Sequence, residues 1–179
     1  IGCCGAVLLG RMSDIVDYLL YVDKKTGLPN REKLNIYIGE MAGKVLPEAF
    51  TCFTLSLDNL SELTKRFGYT VGDGVLKDFA GLVQLMGDTE GMRGYNGVGR
   101  FVVFFEECSS KKAAAMIRIL DNQVEEYNSL NPEYPIRYTA AWATTEETDT
   151  YEIRELLRLS QKKWKQMEKE KKDKTEEET

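Results

Sequence analysis

The 179-residue chain contains no histidine. That absence excludes Ser-His-Asp and Cys-His catalysis, His-ligated zinc and a histidine pH switch. Cysteine is sparse: Cys3, Cys4, Cys52 and Cys108 form no C-x-x-C pair and no metal-binding spacing. Cys52 and Cys108 lie in or beside apolar runs, a setting for buried, reduced thiols of a cytosolic domain and not for a disulfide framework. Basic residues are outnumbered, 24 Lys+Arg against 29 Asp+Glu, for a net charge of −5. A nucleic-acid binder would usually carry a basic face, so no nucleic-acid partner is expected. A long apolar run is missing too. The opening IGCCGAVLLG meets Arg11, well short of the roughly 20 residues that span a bilayer. Two readings of it stay open: the last turns of a transmembrane helix with Arg11 on the cytoplasmic side, hence a membrane tether, or a buried or frayed helix start. No signal-peptide pattern is present. What remains is carboxylate chemistry, carboxylate-held Mg²⁺, or no chemistry.

What is present suits one domain with modest extensions, at roughly 150 residues per domain. Hydrophobic residues make up 42% and the mean hydropathy is −0.37, ordinary for a soluble globular chain. Met12, Ile15, Leu19 and Val22 keep helical spacing and predict a stalk or packing helix. D-K-K-T-G-L-P-N-R is a turn cluster, and Leu34, Tyr37, Ile38, Met41 and Val45 predict an amphipathic helix after it. Residues 50–57, FTCFTLSL, read as a buried strand. Asp58 or Asn59 caps the next helix, with Leu60, Leu63 and Phe67 on one face and Gly68 as its stop. A further helix is expected from about Asp73 to Gly87. M-R-G-Y-N and R-F-V-V-F-F-E flank Gly97–Gly99 as a β-hairpin. Ser109 or Ser110 caps a long helix, residues 136–144 form a strand, and Asp149 with Glu152 makes a capping box for the last helix. Its stripe is Ile153, Leu156, Leu157, Ser160, Trp164 and Met167. The expected class is α+β: a ferredoxin-like, nucleotidyl-cyclase-like core whose mainly antiparallel sheet, with its hairpin, is flanked by helices. The expected division is an apolar segment and stalk over 1–22, the domain over 23–169, and a charged, disordered tail over 170–179.

Four segments, in this order, resemble the GGDEF domain family of diguanylate cyclases. Asp23-Lys24-Lys25-Thr26-Gly27-Leu28-Pro29-Asn30-Arg31 is similar to the family's opening motif D-x-L-T-G-L-x-N-R. Leu57-Asp58-Asn59-Leu60, then Arg66-Phe67-Gly68-Tyr69-Thr70-Val71-Gly72-Asp73 and Val75-Leu76, resembles D-x-D-x-F-K-x-x-N-D-x-x-G-H-x-x-G-D-x-x-L. Gly97-Val98-Gly99-Arg100-Phe101 falls where the family carries G-G-D/E-E-F. LLRLSQKKWKQME is similar to a worn copy of the family's closing helix. The resemblance spans 23–169. It implies a family chemistry in which two GTP condense to cyclic di-GMP on a dimer, by two-metal activation of a 3′-hydroxyl. The family holds its Mg²⁺ with an Asp at the end of the first strand and an acid in the hairpin signature.

The same resemblance places those two metal acids on Ser56 and Gly99, neither of them an acid, and the neighbouring family Glu on Arg100, a charge reversal. The guanine-reading positions fall on Thr64, in place of Asn, and on Asp73. The late phosphate-holding Lys falls on Glu168, next to Lys169. The product-inhibition motif R-x-x-D falls on Asp88-Thr89-Glu90-Gly91 and is missing there; Arg93 lacks the paired Asp. Simpler roles stand beside these: Arg100 as a solvated hairpin-tip arginine, Asp73 as an acid at a helix start, and G-V-G as a tight turn needing positive φ. The expectation is no intact catalytic residue, no metal site and no cofactor, with Mg²⁺ only alongside residual GTP binding. The expected function is a catalytically inactive signalling, regulatory or oligomerisation domain of a larger bacterial protein. It is placed in the cytoplasm, at the inner membrane if the opening segment is a membrane helix. The alternatives are a GTP-binding allosteric sensor and a weak residual cyclase leaning on Asp58 or Asp73. The expected partners are other domains of the same protein, a second copy in a homodimer, and GTP.

Overall fold

A computed structural model describes residues 2–87 and 90–177. In chain order the elements are α1 (Gly2–Tyr21), α2 (Arg31–Met41), β1 (Thr51–Leu57), α3 (Leu60–Phe67), α4 (Tyr69–Gln84), β2 (Gly91–Gly97), β3 (Arg100–Phe105), α5 (Ser110–Leu130), β4 (Tyr138–Thr144), α6 (Thr145–Thr148) and α7 (Ile153–Glu177). The sheet order is β2-β3-β1-β4, and every pairing is antiparallel. With helices crossing over between β1 and β2 and between β3 and β4, this is the ferredoxin-like arrangement expected from the pattern.

The alternation of side chains along the central strands builds two apolar layers. Phe53, Leu55 and Leu57 of β1 join Phe101, Val103 and Phe105 of β3 beneath α3, α4 and α5. On the other face Cys52, Val102 and Phe104 meet Leu34 of α2 and Ile153 and Leu156 of α7. Burial pushes the Cys52 thiol up to about 12, partly offset by the Ser160 hydroxyl beside it. Helix α2 sits directly on β2 because residue 94 is glycine: a Cβ there would lie 2.2 Å from Leu34 Cγ.

The opening motif is the knot that holds the first two helices to the hairpin. Asp23 Oδ2 accepts from Thr26 N and Oγ1, both at 2.8 Å. Asn30 caps α2 by accepting from Lys33 N, while its Nδ2 donates to Leu20 O. Arg31 donates to Asn96 O at 2.6 Å, and Tyr95 N donates to Pro29 O at 2.9 Å.

Several boundaries differ from the sequence expectation. Helix α2 ends at Met41, and Val45 lies beyond it, exposed. Helix α4 begins at Tyr69, because Gly68 at φ +92° reverses the chain in one residue and closes α3 as well. Asp73 is therefore in the second turn of α4 and not at its start. Ser109, not Ser110, caps α5 by accepting from Lys112 N. The short α6 was not expected. It ends at Asp149 in the left-handed region, so Asp149 is no part of a capping box, and Glu152 alone accepts from Glu155 N. The tail expected to be disordered from 170 continues α7 through Glu177. Strong helix formers and an i,i+4 pair between Glu168 and Lys172 at 3.2 Å account for this; residues 178 and 179 lie outside the described residues. From Leu9 to Leu20 every residue of α1 is exposed. Among the described residues no helix is long and apolar enough to cross a membrane; Ile1 lies outside them.

Candidate functional site

A cleft of about 460 Å³ opens where the end of β1 meets the hairpin, α3 and α7. Ser56 of β1 and Arg100 of β3 line it side by side, and Thr139 of β4, next in the same row across the sheet, stands opposite Ser56 on the other side. Ser56 is 5% exposed, and Trp164 of α7 covers it at 3%. The indole Nε1 of Trp164 donates to Ser56 Oγ at 2.8 Å, and that hydroxyl donates to Asp58 Oδ1 at 2.6 Å. Asp58 Oδ2 accepts from Thr139 Oγ1 at 2.6 Å. Lys171 Nζ donates to Thr139 Oγ1 at 2.9 Å and to Tyr138 O at 2.6 Å, and lies 3.8 Å from Asp58 Oδ2. The guanidinium of Arg100 stacks over the Trp164 ring, 4.7 Å from its centroid. Arg100 is thus a solvent-exposed arginine at the hairpin tip, as one reading of the sequence has it, with the stacking on Trp164 added.

Gly99 forms the rim through its backbone. Its N–H donates to Tyr95 Oη at 3.0 Å, its carbonyl accepts from Leu57 N at 2.8 Å, and φ is +72°. A Cβ there would come within 3.1 Å of Leu57 O. Thr64 lines the cleft and fills the gap between α3 and α4, since a Cβ on Gly72 would lie 2.3 Å from its Oγ1. Glu168 also lines the cleft and pairs with Lys172.

Asp73 stands apart from this cleft. Lys25 Nζ lies 3.1 Å from its Oδ1, both side chains about half exposed, and that contact raises the Lys25 pKa. Such a pair contributes little to stability. Lys25 occupies the third position of the opening motif, where the quoted pattern has Leu. The structure thus gathers Ser56, Thr64, Arg100 and Glu168 at one cleft, puts Gly99 at its rim and leaves Asp73 outside. Of the stretch matched to R-x-x-D, Asp88 and Thr89 lie outside the described residues. Arg93 is largely buried and donates to Met86 O while stacking on Phe105.

Sequence reasoning missed the link from Trp164 through Ser56 and Asp58 to Thr139 and Lys171. The available signal was the pair of hydroxyls, Thr54 and Ser56, at alternate positions in the middle of a largely apolar strand. Buried hydroxyls need partners, so they foretell a polar seam under a covering helix. Among the described residues no three Cys, Asp or Glu side chains are grouped so as to share a metal ion.

A four-stranded antiparallel sheet with crossover helices and a cleft at the hairpin end defines an α+β domain of the cyclase-like class. Within that class the chain belongs to the GGDEF domain family: the model described as diguanylate cyclase, GGDEF domain matches residues 20–174. Among solved structures it is similar to the FimX GGDEF domain from Pseudomonas aeruginosa, at 18% identity and TM-score 0.65, covering 79% of this chain and 90% of that one. A diguanylate cyclase/phosphodiesterase from Caldicellulosiruptor saccharolyticus matches at 18% identity and TM-score 0.64, over 85% and 91% of the two chains. Vibrio cholerae LapD S helix-GGDEF-EAL, bound to c-di-GMP, matches at 12% identity and TM-score 0.63 over 76% of this chain. This chain spans about a third of that one, 32%. At these identities the likeness speaks for the fold. No match was found among curated proteins.

Proposed function

We propose that this chain is a catalytically inactive GGDEF domain that serves as a regulatory module within a larger cytoplasmic protein. The floor of the cleft carries the reading. Where the family resemblance puts metal carboxylates stand Ser56, whose hydroxyl already donates once and accepts once, and Gly99, which offers only backbone. The nearby carboxylate, Asp58, accepts two hydroxyl hydrogen bonds and faces the Lys171 ammonium. Arg100 adds positive charge beside it. This donor set does not fit Mg²⁺, which demands near-octahedral oxygen ligands with compensating negative charge. Loss of groups that act as a catalytic unit costs several orders of magnitude in rate. The LapD chain, with its GGDEF and EAL parts, supports a place within a larger protein, and buried free thiols at Cys52 and Cys108 suit a reducing compartment. With GTP and Mg²⁺ the protein is expected to form no cyclic di-GMP above a protein-free blank by chromatography; measurable turnover overturns the proposal.

One observation favours a second reading, a metal-free nucleotide sensor. Lys65 and Arg100 both line the cleft, and among the described residues neither takes part in an ion pair. Two cations outside any such pair, beside the buried Ser56 hydroxyl, attract phosphate, against the carboxylates of Asp58 and Glu168 in the same cleft. Titration of the same samples with GTP in a calorimeter separates this reading from the first.

The surface assigned to self-association is α1. Met12, Ile15 and Leu19 are 62%, 58% and 57% exposed and, with Val22, follow the 3-4-3 spacing of a coiled-coil seam. Asp14 and Asp17 fall off that seam. The LapD structure likewise carries a helix, its S helix, with its GGDEF domain. Sedimentation equilibrium is expected to show a concentration-dependent dimer that the double variant Ile15→Glu/Leu19→Glu abolishes. A monomer at every concentration, or a dimer unaffected by the variant, removes this assignment.

A further inference from the structure

Helix α7 is fastened to β1 by a ladder of polar contacts. Thr54 and Ser56, alternate residues on one face of the interior strand β1, and Asp58 just beyond its end each meet a residue further along α7. Thr54 Oγ1 and Ser160 Oγ lie 2.7 Å apart, and Ser160 gives its own proton to Leu157 O, so Thr54 is the donor. Trp164 donates to Ser56, and Lys171 reaches Thr139 and the edge of Asp58. The geometry explains the match. Alternate strand residues are about 6.7 Å apart, and four helical residues rise about 6 Å. The last step, from Trp164 to Lys171, rises about 10.5 Å, and the long lysine side chain makes up the difference.

Beyond Trp164 the helix has almost no apolar hold: of residues 165–176 all but Glu168 are exposed. The arm formed by residues 166–177 is therefore tied to the domain chiefly by the Lys171 ammonium, through hydrogen bonds to Tyr138 O and Thr139 Oγ1. Of these acceptors Thr139 Oγ1 belongs, through Asp58, to the same network as Ser56 and Trp164 at the floor of the cleft. We propose that Lys171, Thr139 and Asp58 form a latch through which the state of the cleft floor sets how firmly the C-terminal arm of α7 is held. The latch does not depend on whether the domain turns over GTP. Apolar packing is indifferent to a single proton or ion, whereas a hydrogen-bonded chain releases when one member is removed or claimed by a ligand. A ligand that prefers one arm position would shift the balance by the difference in its affinity for the two.

Hydrogen exchange on the full chain tests this. Lys171→Met, which keeps the apolar stem and removes the ammonium, is expected to speed amide exchange in 166–177 about tenfold while the sheet amides keep their wild-type rates. Asp58→Asn is expected to move the same peptides in the same direction. Ser56→Ala is expected to speed the arm as well, because it removes one of the two hydroxyls that hold Asp58 together with the acceptor of the Trp164 indole. Lys169→Met, at an exposed position of the same arm that takes part in none of the ion pairs among the described residues, is the control and is expected to leave the arm at the wild-type rate. Wild-type exchange in the arm of Lys171→Met, an equal rise in Lys169→Met, or an unchanged arm in Ser56→Ala overturns the latch. If Lys171→Met loosens the whole sheet, the Ser56→Ala and Asp58→Asn arms decide the matter alone. None of these outcomes depends on the cyclase assay, so the two proposals fail separately.

Discussion

Trp164→Ala is expected to lower the free energy of unfolding by about 3–5 kcal/mol, the usual cost of truncating a buried indole to a methyl group. The side chain is 3% exposed and forms the lid over the end of β1. Its removal acts through three separable effects. A large apolar volume is lost next to a sheet that relaxes little. The Ser56 oxygen loses its donor while still giving its proton to Asp58. Arg100 loses the ring over which it stacks. Trp164→Phe retains most of the volume and a ring face, and so is expected to cost only about 1–2 kcal/mol, for the lost N–H donor and a weaker cation–π contact. Urea unfolding followed by far-UV circular dichroism reads both variants, and the remaining Trp142 serves as a fluorescent reporter. A cost under about 1 kcal/mol for the alanine variant would show that α7 is not seated at this residue.

Ser56→Asp puts back the type of residue that the family resemblance expects, and it is expected to harm the protein. The new carboxylate would sit in a position 5% exposed, against the Asp58 oxygen now 2.6 Å from the serine hydroxyl. Two buried carboxylates at that separation cannot both ionise without a cation between them. Lys171, 3.8 Å from the far oxygen of Asp58, already serves that side. The expected loss at pH 7 is several kcal/mol. The pH dependence follows from the sign of the shift. The pair holds a proton in the folded state that the unfolded chain releases near the ordinary Asp value of about 3.9, so the folded pKa is raised. Stability is therefore complete below about pH 4 and declines as pH rises through the raised folded value, the reverse of an ordinary salt-bridged aspartate. No cyclase activity is expected, because Gly99 and Arg100 are unchanged. Equal stability of Ser56→Asp and wild type at pH 7, or the appearance of turnover, would contradict the description of the cleft floor.

Much of the fold could be read from the chain because the signals are local. FTCFTLSL has the apolar, β-favouring composition of a strand covered on both faces, and β1 is covered on both. The hairpin around Gly97–Gly99 follows from glycines that take φ of +84° and +72°. The misplaced boundaries share a cause. Val45 and Asp149 were assigned by spacing or by residue type, but a helix end is decided by which neighbouring groups receive its free carbonyls and amides. The start of α4 moved for a related reason, since Gly68 shows only in three dimensions that it serves two helices.

The candidate site divides in the same way. Ser56, Gly99 and Arg100 drew notice in the chain because a motif assigns them positions, and their chemical character needs no coordinates. The roles of Trp164, Thr139 and Lys171 needed the folded molecule. They are 108, 83 and 115 positions from Ser56 or less telling in type, and each would pass for an ordinary core, strand or surface residue. Asp73 shows the converse: its place in the motif was plain, yet Lys25 pairs with it away from the cleft. What the chain alone determined is the order of the main helices and strands, the family likeness and the lack of histidine. Side-chain periodicity, turn chemistry and residue identity are properties of short segments. What the tertiary structure decided is which groups satisfy one another at the cleft. A hydrogen bond between α7 and β1 is set by the packing of distant segments, and no local pattern encodes it.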